Sequence, residues 1–529
     1  MSNLIPLIVE YRYYIEVTTV IAAVIIAVSS FDDMFVDVLY WLTKFFGDGH
    51  TSERRRAADL TFIDSIPEVP IAIMVPAWRE HEVIFAMLSS NVNLLRYNNY
   101  DFFVGVYRND PRTVAEVERA QQLFPNVHMV MVEREGPTSK ANCLNEIVRE
   151  IFRFEAKYDV SFVGLAMHDA EDLIHPHELK LLNFLINKYE FVQLPVFSFS
   201  RSLRDFIGGI YMDEFAESHT KDLVVRERMG AVIPCAGVSA CFSRNAIALL
   251  ANLNLGEVFR TRTFTEDYDI AVRVHELGMR TTFVSYPVGY SIDIADQSKM
   301  PIVDSRALPI ATREFFPSRL QTAYRQRARW LIGIVFQGIA QIGWRGGLAT
   351  KYFLVRDRKS LITNPTVIVG YFVLVNLVLI QWYLQHYGGD NEFPLVLLNS
   401  DYMVRLFIVN LFFLVWRVIH RMTFTTKIYG VTHGLMSAPR LIVASFVNFF
   451  ATIRATRIYF SHLVTGKALV WDKTPHSYPF EIRDDGAVAP SSEERDRQPF
   501  DRQRGGRPAR RPAKPGQKGK ERESGIRAR

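Results

Sequence analysis

Residues 360–389 are thirty consecutive positions without Asp, Glu, Lys or Arg. That run exceeds the ~20 apolar residues a helix needs to cross a bilayer. Inside hydrocarbon every backbone N–H and C=O must be paired within the protein, so a lone run of this kind has to be helical. The stretch places part of the chain in a membrane. Residues 402–419 form a second candidate span, interrupted by Arg405. Residues 17–31, between Glu16 and Asp32-Asp33, form a third that is short unless Tyr13, Tyr14 and Ile15 extend it. Residues 34–46 mix aromatic and polar side chains, which predicts a separate helix lying at the interface. Residues 441–460 carry Ser445, Asn448, Thr452 and Thr456 at three- to four-residue spacing, with Arg454 and Arg457. This pattern predicts an amphipathic interfacial helix rather than a further span.

The charges flanking these runs set an orientation. Lys44 and Arg54-Arg55-Arg56 follow the first run, acidic Asp390, Glu392 and Asp401 separate the next two, and Arg417, Arg421, Lys427 and Arg440 come after. The positive-inside rule then predicts residues 44–359 and the C-terminal tail in the cytosol, with the N-terminus and the loop near residue 390 outside. The formal net charge of +6 has a local origin. Residues 501–529 hold eleven Lys/Arg and three Asp/Glu, and without them the balance is −2. The basic signal is a tail and predicts no nucleic-acid groove. From residue 484 the composition turns to Pro, Gly, Arg, Glu and Ser, the signature of disorder. Cys143, Cys235 and Cys241 are odd in number and lack metal spacing, which suits a reducing compartment. No cleavable signal peptide is expected, because acidic Glu10 and Glu16 precede the first apolar run.

Between residues 70 and 317, short β-rich runs alternate with helical ones, the mark of an α/β unit with a mainly parallel sheet. Four strands are expected, at residues 71–75, 102–107, 127–132 and 162–167. Each runs into polar residues, and in open α/β sheets that edge binds ligands. Glu80 and Asp110 lie just beyond the first two, where a turn role competes with contact to a base or ribose. Lys140 opens a helix after Gly136-Pro137-Thr138-Ser139, an arrangement suited to a phosphate. Asp169-Ala170-Glu171-Asp172 puts three carboxylates within four residues. They repel one another unless a cation intervenes, and hard oxygen ligands suit Mg2+ or Mn2+. An acidic first helical turn would explain the same residues. Thr265-Glu266-Asp267-Tyr268-Asp269 opens another helix, with Thr265 as a cap or with one carboxylate as a general base.

Gln326-Arg327-Ala328-Arg329-Trp330 stands where the soluble region meets the membrane helices. Arginine offers a forked donor for diphosphate oxygens, and tryptophan a flat face for a sugar ring. A basic edge on an interfacial helix would serve as well.

Taken together, Val75-Pro-Ala-Trp-Arg-Glu80, Asp110, Lys140, the acidic residues 169–172, Thr265-Glu266-Asp267 and Gln326-x-x-Arg329-Trp330 resemble the motif set of family 2 glycosyltransferases. The membrane-embedded processive synthases of cellulose and hyaluronan are the nearer likeness. Pro234-Cys-Ala-Gly-Val-Ser239, Arg313-Glu-Phe-Phe-Pro317 and Leu469-Val-Trp-Asp-Lys-Thr-Pro-His476 resemble a narrower bacterial group of inner-membrane phage-adsorption proteins.

The resemblance implies a GT-A α/β domain at residues 47–317 with a mainly parallel sheet. Membrane and interfacial helices would occupy residues 1–46 and 346–483, an interfacial helix residues 318–345, and a disordered basic tail residues 484–529. It implies an inverting transferase at the bacterial inner membrane that uses a UDP-sugar donor and builds a glycan, with Mg2+ or Mn2+ as cofactor. Asp267 would be the catalytic base. Glu80, Asp110, Lys140, Glu266, Gln326, Arg327, Arg329 and Trp330 would bind donor and acceptor, and Asp169 with Glu171 or Asp172 would hold the metal. Partners would be the growing glycan, membrane lipids and an export or outer-membrane protein, with no nucleic acid. Transfer of a single sugar to a lipid phosphate, or a catalytically silent membrane scaffold, are the competing readings.

Overall fold

The computed structural model describes residues 5–46, 59–285, 308–387, 398, 400–466, 477–482 and 488–490. The basic run at 54–56, the acidic loop at 390–392, the motif at 469–476 and the tail beyond 490 lie outside the described residues.

Strand β1 (Ile71–Pro76) is buried over its first five residues, as an all-apolar run must be when helices cover both faces of a sheet. It runs parallel to β2 (Tyr100–Tyr107), with Ile71 opposite Tyr100 and Pro76 opposite Gly105. Outside β2 lies parallel β3 (Val127–Val132). On its other side β1 is parallel to β4 (Gly164–Met167). Strand β5 (Phe191–Gln193) belongs to the same sheet, and β6 (Val196–Ser198) to a separate two-stranded one. Antiparallel β7 (Ala240–Ser243) joins β4 to β5, and β8 (Thr281–Phe283) closes the row. The order is β3-β2-β1-β4-β7-β5-β8, and β6 pairs in parallel with β9 (Thr312–Glu314). Expected strand four begins two residues late, because Phe162 N–H donates to the Glu155 carboxylate instead of a neighbouring strand.

Helix α1 (Ile5–Phe46) is continuous over 42 residues, which corrects the expected break between a span and a separate interfacial helix. Asp32 and Asp33 do not end it, because Arg356, Lys359 and Arg417 neutralise them. A few residues on, Asp37 pairs with Lys221 and accepts from Trp416 Nε1 at 2.8 Å. Helix α2 (Lys140–Tyr158) packs on β1, β2 and β3, capped by Ser139 Oγ accepting from Asn142 N–H. Helix α3 (Phe206–Glu217) passes into a π-helical turn, Ser218–Asp222. Helix α4 (Glu266–Glu276) precedes β8. Helix α5 (Leu320–Leu331) holds the Gln326–Trp330 motif and runs into a second π-helical turn, Ile332–Gln337. Helices α6 (Leu348–Arg358), α7 (Ser360–Tyr387), α8 (Asp401–Tyr429) and α9 (Val431–Thr465) complete the described helical region. Among the described residues four helices are long and apolar enough to cross a membrane: α1, α7, α8 and α9. Residues 441–460 are thus the centre of a longer helix than expected.

Candidate active site

Because β1, β2 and β4 are parallel, their C-terminal ends share one edge of the sheet. Antiparallel β7 brings its N-terminal end, and with it the loop of residues 234–239, to the same edge. The N-terminus of α4 and the motif helix α5 complete a cleft of about 590 Å3. Trp78, Glu80, Tyr107 and Thr138 line one end, Lys140, Asp169, Glu171, Glu266 and Asp267 the middle, and Gln326, Arg329, Trp330 and Phe215 the other.

Lys140 is the cation at the centre. Its Nζ lies 2.5 Å from Asp169 Oδ1 and donates to Gly237 O at 3.4 Å. Burial opposes its charge, but Asp169, Glu266 and Asp267 outweigh burial and raise its pKa. Burial, with only partial relief from Lys140, raises Asp267 to about 6. Burial and the neighbouring Asp267 raise Glu266 to about 8. Asp267 Oδ1 accepts from Tyr268 N–H at 2.7 Å, and Tyr268 Oη donates to Asp357, which Arg226 grips with both terminal nitrogens. A carboxylate near neutral pKa, held at one oxygen and facing a cleft, is equipped to take a proton. Asp269 is not: Arg260 and Arg273 hold it on the far side of α4.

Gly237 explains the Pro234–Ser239 motif. Its φ of +82° is left-handed, and a Cβ there would stand 2.6 Å from Asp267 Oδ2. The backbone approaches the acidic group so closely that only glycine fits.

The acidic residues 169–172 form a turn rather than a helical first turn, since the next helix begins at Glu178. They also part company: Asp169 and Glu171 line the cleft, whereas Asp172, expected beside them, lies off it. Asp172 is fully buried and off the cleft, its Oδ2 accepting from Asp169 N–H at 2.9 Å and lying 3.0 Å from His168 Nδ1. The other ring nitrogen of His168 is 3.1 Å from Glu178, which also accepts from Ser239 and Thr312. Burial opposes the charge of His168, but Glu178 and Asp172 raise it to about 9. This buried ion triad ties the loop bearing Asp169 to the loop bearing Gly237.

Among the described residues no three His, Cys, Asp or Glu side chains converge into a ready metal cage. A cation such as Mg2+ needs none, since it binds through one or two carboxylates and completes its shell with phosphate oxygens and water. Asp169 and Glu171, hard oxygen donors facing the cleft, fit that demand. Two further atoms await a partner: Glu266 Oε2 and Gln326 Oε1 are buried with no hydrogen bond inside the protein.

Residues 67–333, half of the chain, match the model described as glycosyltransferase like family 2. The chain belongs to that family. Its sheet and the cleft at the strand ends are accordingly the GT-A arrangement. The chain is 38% identical over 492 residues to bacteriophage adsorption protein B of Escherichia coli K12, a match covering 93% of this chain and 66% of that protein. The same identity and coverage hold for bacteriophage N4 adsorption protein B of Escherichia coli O157:H7. Among solved structures, a mannosyltransferase from Pyrobaculum calidifontis in complex with GDP-Man and Mn2+ is 15% identical, with a TM-score of 0.48, over 84% of this chain and 99% of that one. S. aureus TarS in complex with UDP-GlcNAc is 10% identical, with a TM-score of 0.31, over 80% and 97%.

Of the residues expected at the site of this glycosyltransferase, nine line the cleft and three do not. Asp172 is one of the three. Asp110 accepts from Arg79 N–H at 2.6 Å and shapes the turn after β1. Arg327 points away from Arg329, pairing with Glu214 at 2.8 Å and donating to Asn448 at 2.7 Å. Thr265 makes no capping bond and instead packs against Gly333, where a Cβ would lie 2.3 Å from its Oγ1. Gln337, invisible within an uncharged run, receives Phe264 N–H at 2.9 Å and donates to Arg262 O at 3.0 Å. The π-helical turn after Trp330 thereby holds the loop that leads into Glu266 and Asp267.

Proposed function

We propose that this chain transfers a sugar from a UDP-sugar to a hydroxyl of a growing glycan, with inversion, on the cytosolic face of a bacterial inner membrane. The observation that carries this reading is the position of Asp267. It is a carboxylate of raised pKa beside Lys140 and Asp169, in a cleft rimmed by Gln326, Arg329 and Trp330. Trp78, Glu80, Tyr107 and Thr138 would take the nucleoside. Lys140 and Arg329 would hold the diphosphate and stabilise negative charge as it leaves. Asp169 and Glu171 would hold Mg2+ or Mn2+, which supplies further charge neutralisation at the diphosphate. Asp267 would remove the acceptor proton as the hydroxyl attacks the anomeric carbon. Trp330 would offer its face to the acceptor ring.

The processive character and the coupling to export rest on the resemblance to cellulose and hyaluronan synthases and on the membrane helices beside the cleft. The cytosolic orientation rests on the charge asymmetry around those helices. Purified protein in lipid, given a panel of radiolabelled nucleotide sugars with Mg2+ or Mn2+, should incorporate label from a UDP-sugar into a polymer. Label from GDP-sugars alone would overturn the choice of donor, and single-sugar lipid products would overturn the polymer.

A further inference from the structure

The turn that carries Asp169 and Glu171 is held from beneath by polar groups outside the cleft. The helix Ile84–Leu94 follows β1, and three successive polar residues in it, Ser89, Ser90 and Asn91, are buried. Asparagine is a poor helix former, and a buried amide persists where hydrogen bonds satisfy it. Here the turn satisfies it. Asn91 Nδ2 donates to Asp172 O, and Asn91 Oδ1 accepts from Ile174 N–H, both at 2.9 Å. Asp172 Oδ2 in turn accepts from Asp169 N–H at 2.9 Å. The backbone of residues 169–174 is therefore clamped to this helix on one side. On the other it is tied, through His168 and Glu178, to the loop bearing Gly237.

Behind the clamp stands a residue from far along the chain. Tyr478 comes after the end of α9, yet it is 4% exposed inside the catalytic domain. It belongs to the same apolar cluster as Ala170, Leu173 and Ile174, the underside of the turn. Burial pushes its phenol well above the usual tyrosine range, the Ser90 hydroxyl offsets part of that rise, and the Asp172 carboxylate adds to it. The ring therefore ends at Ser90, on the side of Asp172. Just beyond, the strand Phe480–Ile482 pairs antiparallel with Val488–Pro490 and packs on the helix Ile84–Leu94. The chain after α9 thus returns to the catalytic domain and inserts one aromatic side chain where that helix meets the turn. Interiors are close-packed, so a smaller side chain there leaves a gap into which its neighbours shift.

We propose that Tyr478 is a positioning residue for the donor site, wedged behind Ser90 and Asn91 so that it fixes the place of the Asp169–Glu171 turn. Tyr478 itself does not line the cleft. The segment that follows the last long apolar helix is, on this view, part of the support of the metal ligands. The inference rests on the assignment of Asp169 and Glu171 to Mg2+ or Mn2+ proposed above. Such a site tolerates little displacement: Mg2+ demands near-ideal octahedral geometry, and a working constellation must be held within ~0.5 Å. Lys140 and Arg329 reach the cleft from other helices, so contacts to UDP that need no metal do not depend on this turn.

The test is calorimetric titration of UDP onto the full chain in detergent, once with Mn2+ and once with EDTA. It compares the parent with Tyr478→Leu, which opens a gap, and Tyr478→Phe, which keeps the ring. The parent binds UDP more tightly with Mn2+. A misplacement of ~1 Å can cost 10²-fold, so a shift of about half that should cut the Mn2+ gain of Tyr478→Leu by ~10-fold. Affinity in EDTA should stay parental, and Tyr478→Phe should recover most of the gain. A role confined to stability gives another pattern: fewer molecules bind, but those that do keep the parental Mn2+ gain. That pattern, or equal losses with Mn2+ and with EDTA, overturns the inference. If Tyr478→Leu does not fold, Tyr478→Met, whose flexible chain fills more of the space, carries the same comparison. Asp169→Asn, which should abolish the Mn2+ gain, checks the metal assignment separately. No Mn2+ gain in the parent refutes that assignment and this inference with it, whereas a gain that survives Tyr478→Leu refutes the inference alone.

Discussion

The middle of the cleft and its membrane end use the same kinds of residue in opposite ways. Around Lys140, charged groups crowd an open space: Asp169, Glu171, Glu266 and Asp267 all line the cleft with one lysine among them. At the membrane end, the charges are spent on packing. Arg327 is locked between Glu214 and Asn448, Arg226 on Asp357, and Arg356 between Asp32 and Asp33. Excess like charge in the first region perturbs pKa values and invites a cation, whereas matched charge in the second joins helices that are distant in sequence. A charged residue here is chemical where its partners are too few, and a strut where they suffice.

The strongest way to break this contrast is Asp267→Asn. The amide keeps the shape but cannot take a proton. General-base catalysis typically contributes 10²–10⁴-fold, so transfer should fall at least ~100-fold. UDP binding with Mg2+ or Mn2+ should stay within a few-fold, because Asp169 and Glu171 are untouched. In the parent protein kcat/KM should rise with pH through about 6, since the base must be ionised and its pKa is raised to that value. The residual activity of Asp267→Asn should lose that limb. Near-parental transfer by the folded variant would move the base elsewhere.

The paired arginines of the motif provide the next contrast. Arg327→Met strips Glu214 of its partner, and removing one member of a buried ion pair costs ~3 kcal/mol at the low end, appropriate here because Glu214 keeps some solvent contact. Thermal melting in detergent should show this loss, with activity following the folded fraction. Arg329→Met should weaken UDP binding, with transfer falling further than the folded fraction accounts for. If the two variants behave alike, the division between strut and ligand is wrong at this helix.

Much of this was legible in the residues. Strands β1 to β4 announced themselves through apolar runs ending in polar residues, and those ends mark the cleft. The strands from β5 on have three or four residues each, too few for a pattern. The continuity of α1 was hidden because the cations that neutralise Asp32 and Asp33 lie more than 300 residues away. Glu171 and Asp172 are neighbours in sequence, and only the ion pair with His168 turns one into the core and leaves the other facing the cleft. The Pro234–Ser239 motif was visible, but the role of Gly237 depends on a left-handed φ and on a carboxylate thirty residues away.

Trp330→Ala should give the smallest of these effects and the most selective. The indole lines the cleft but is partly built into its wall, with ring centres 6.1 Å from Tyr211 and 6.4 Å from Phe215. Stability should therefore fall only modestly, as a partly exposed aromatic loses edge contacts. A stacked aromatic is worth ~0.5–1.5 kcal/mol beyond area burial, so acceptor engagement should weaken by roughly 2- to 13-fold. UDP affinity should not follow, because Lys140 and Arg329 are assigned to the diphosphate and remain in place. The measurement is a pair of titrations: transfer against acceptor concentration, and UDP binding by calorimetry with Mg2+ present. A raised acceptor requirement with unchanged UDP affinity places the indole on the acceptor side of the cleft. Equal losses in both would assign Trp330 to the wall it shares with Tyr211 and Phe215, making it another strut.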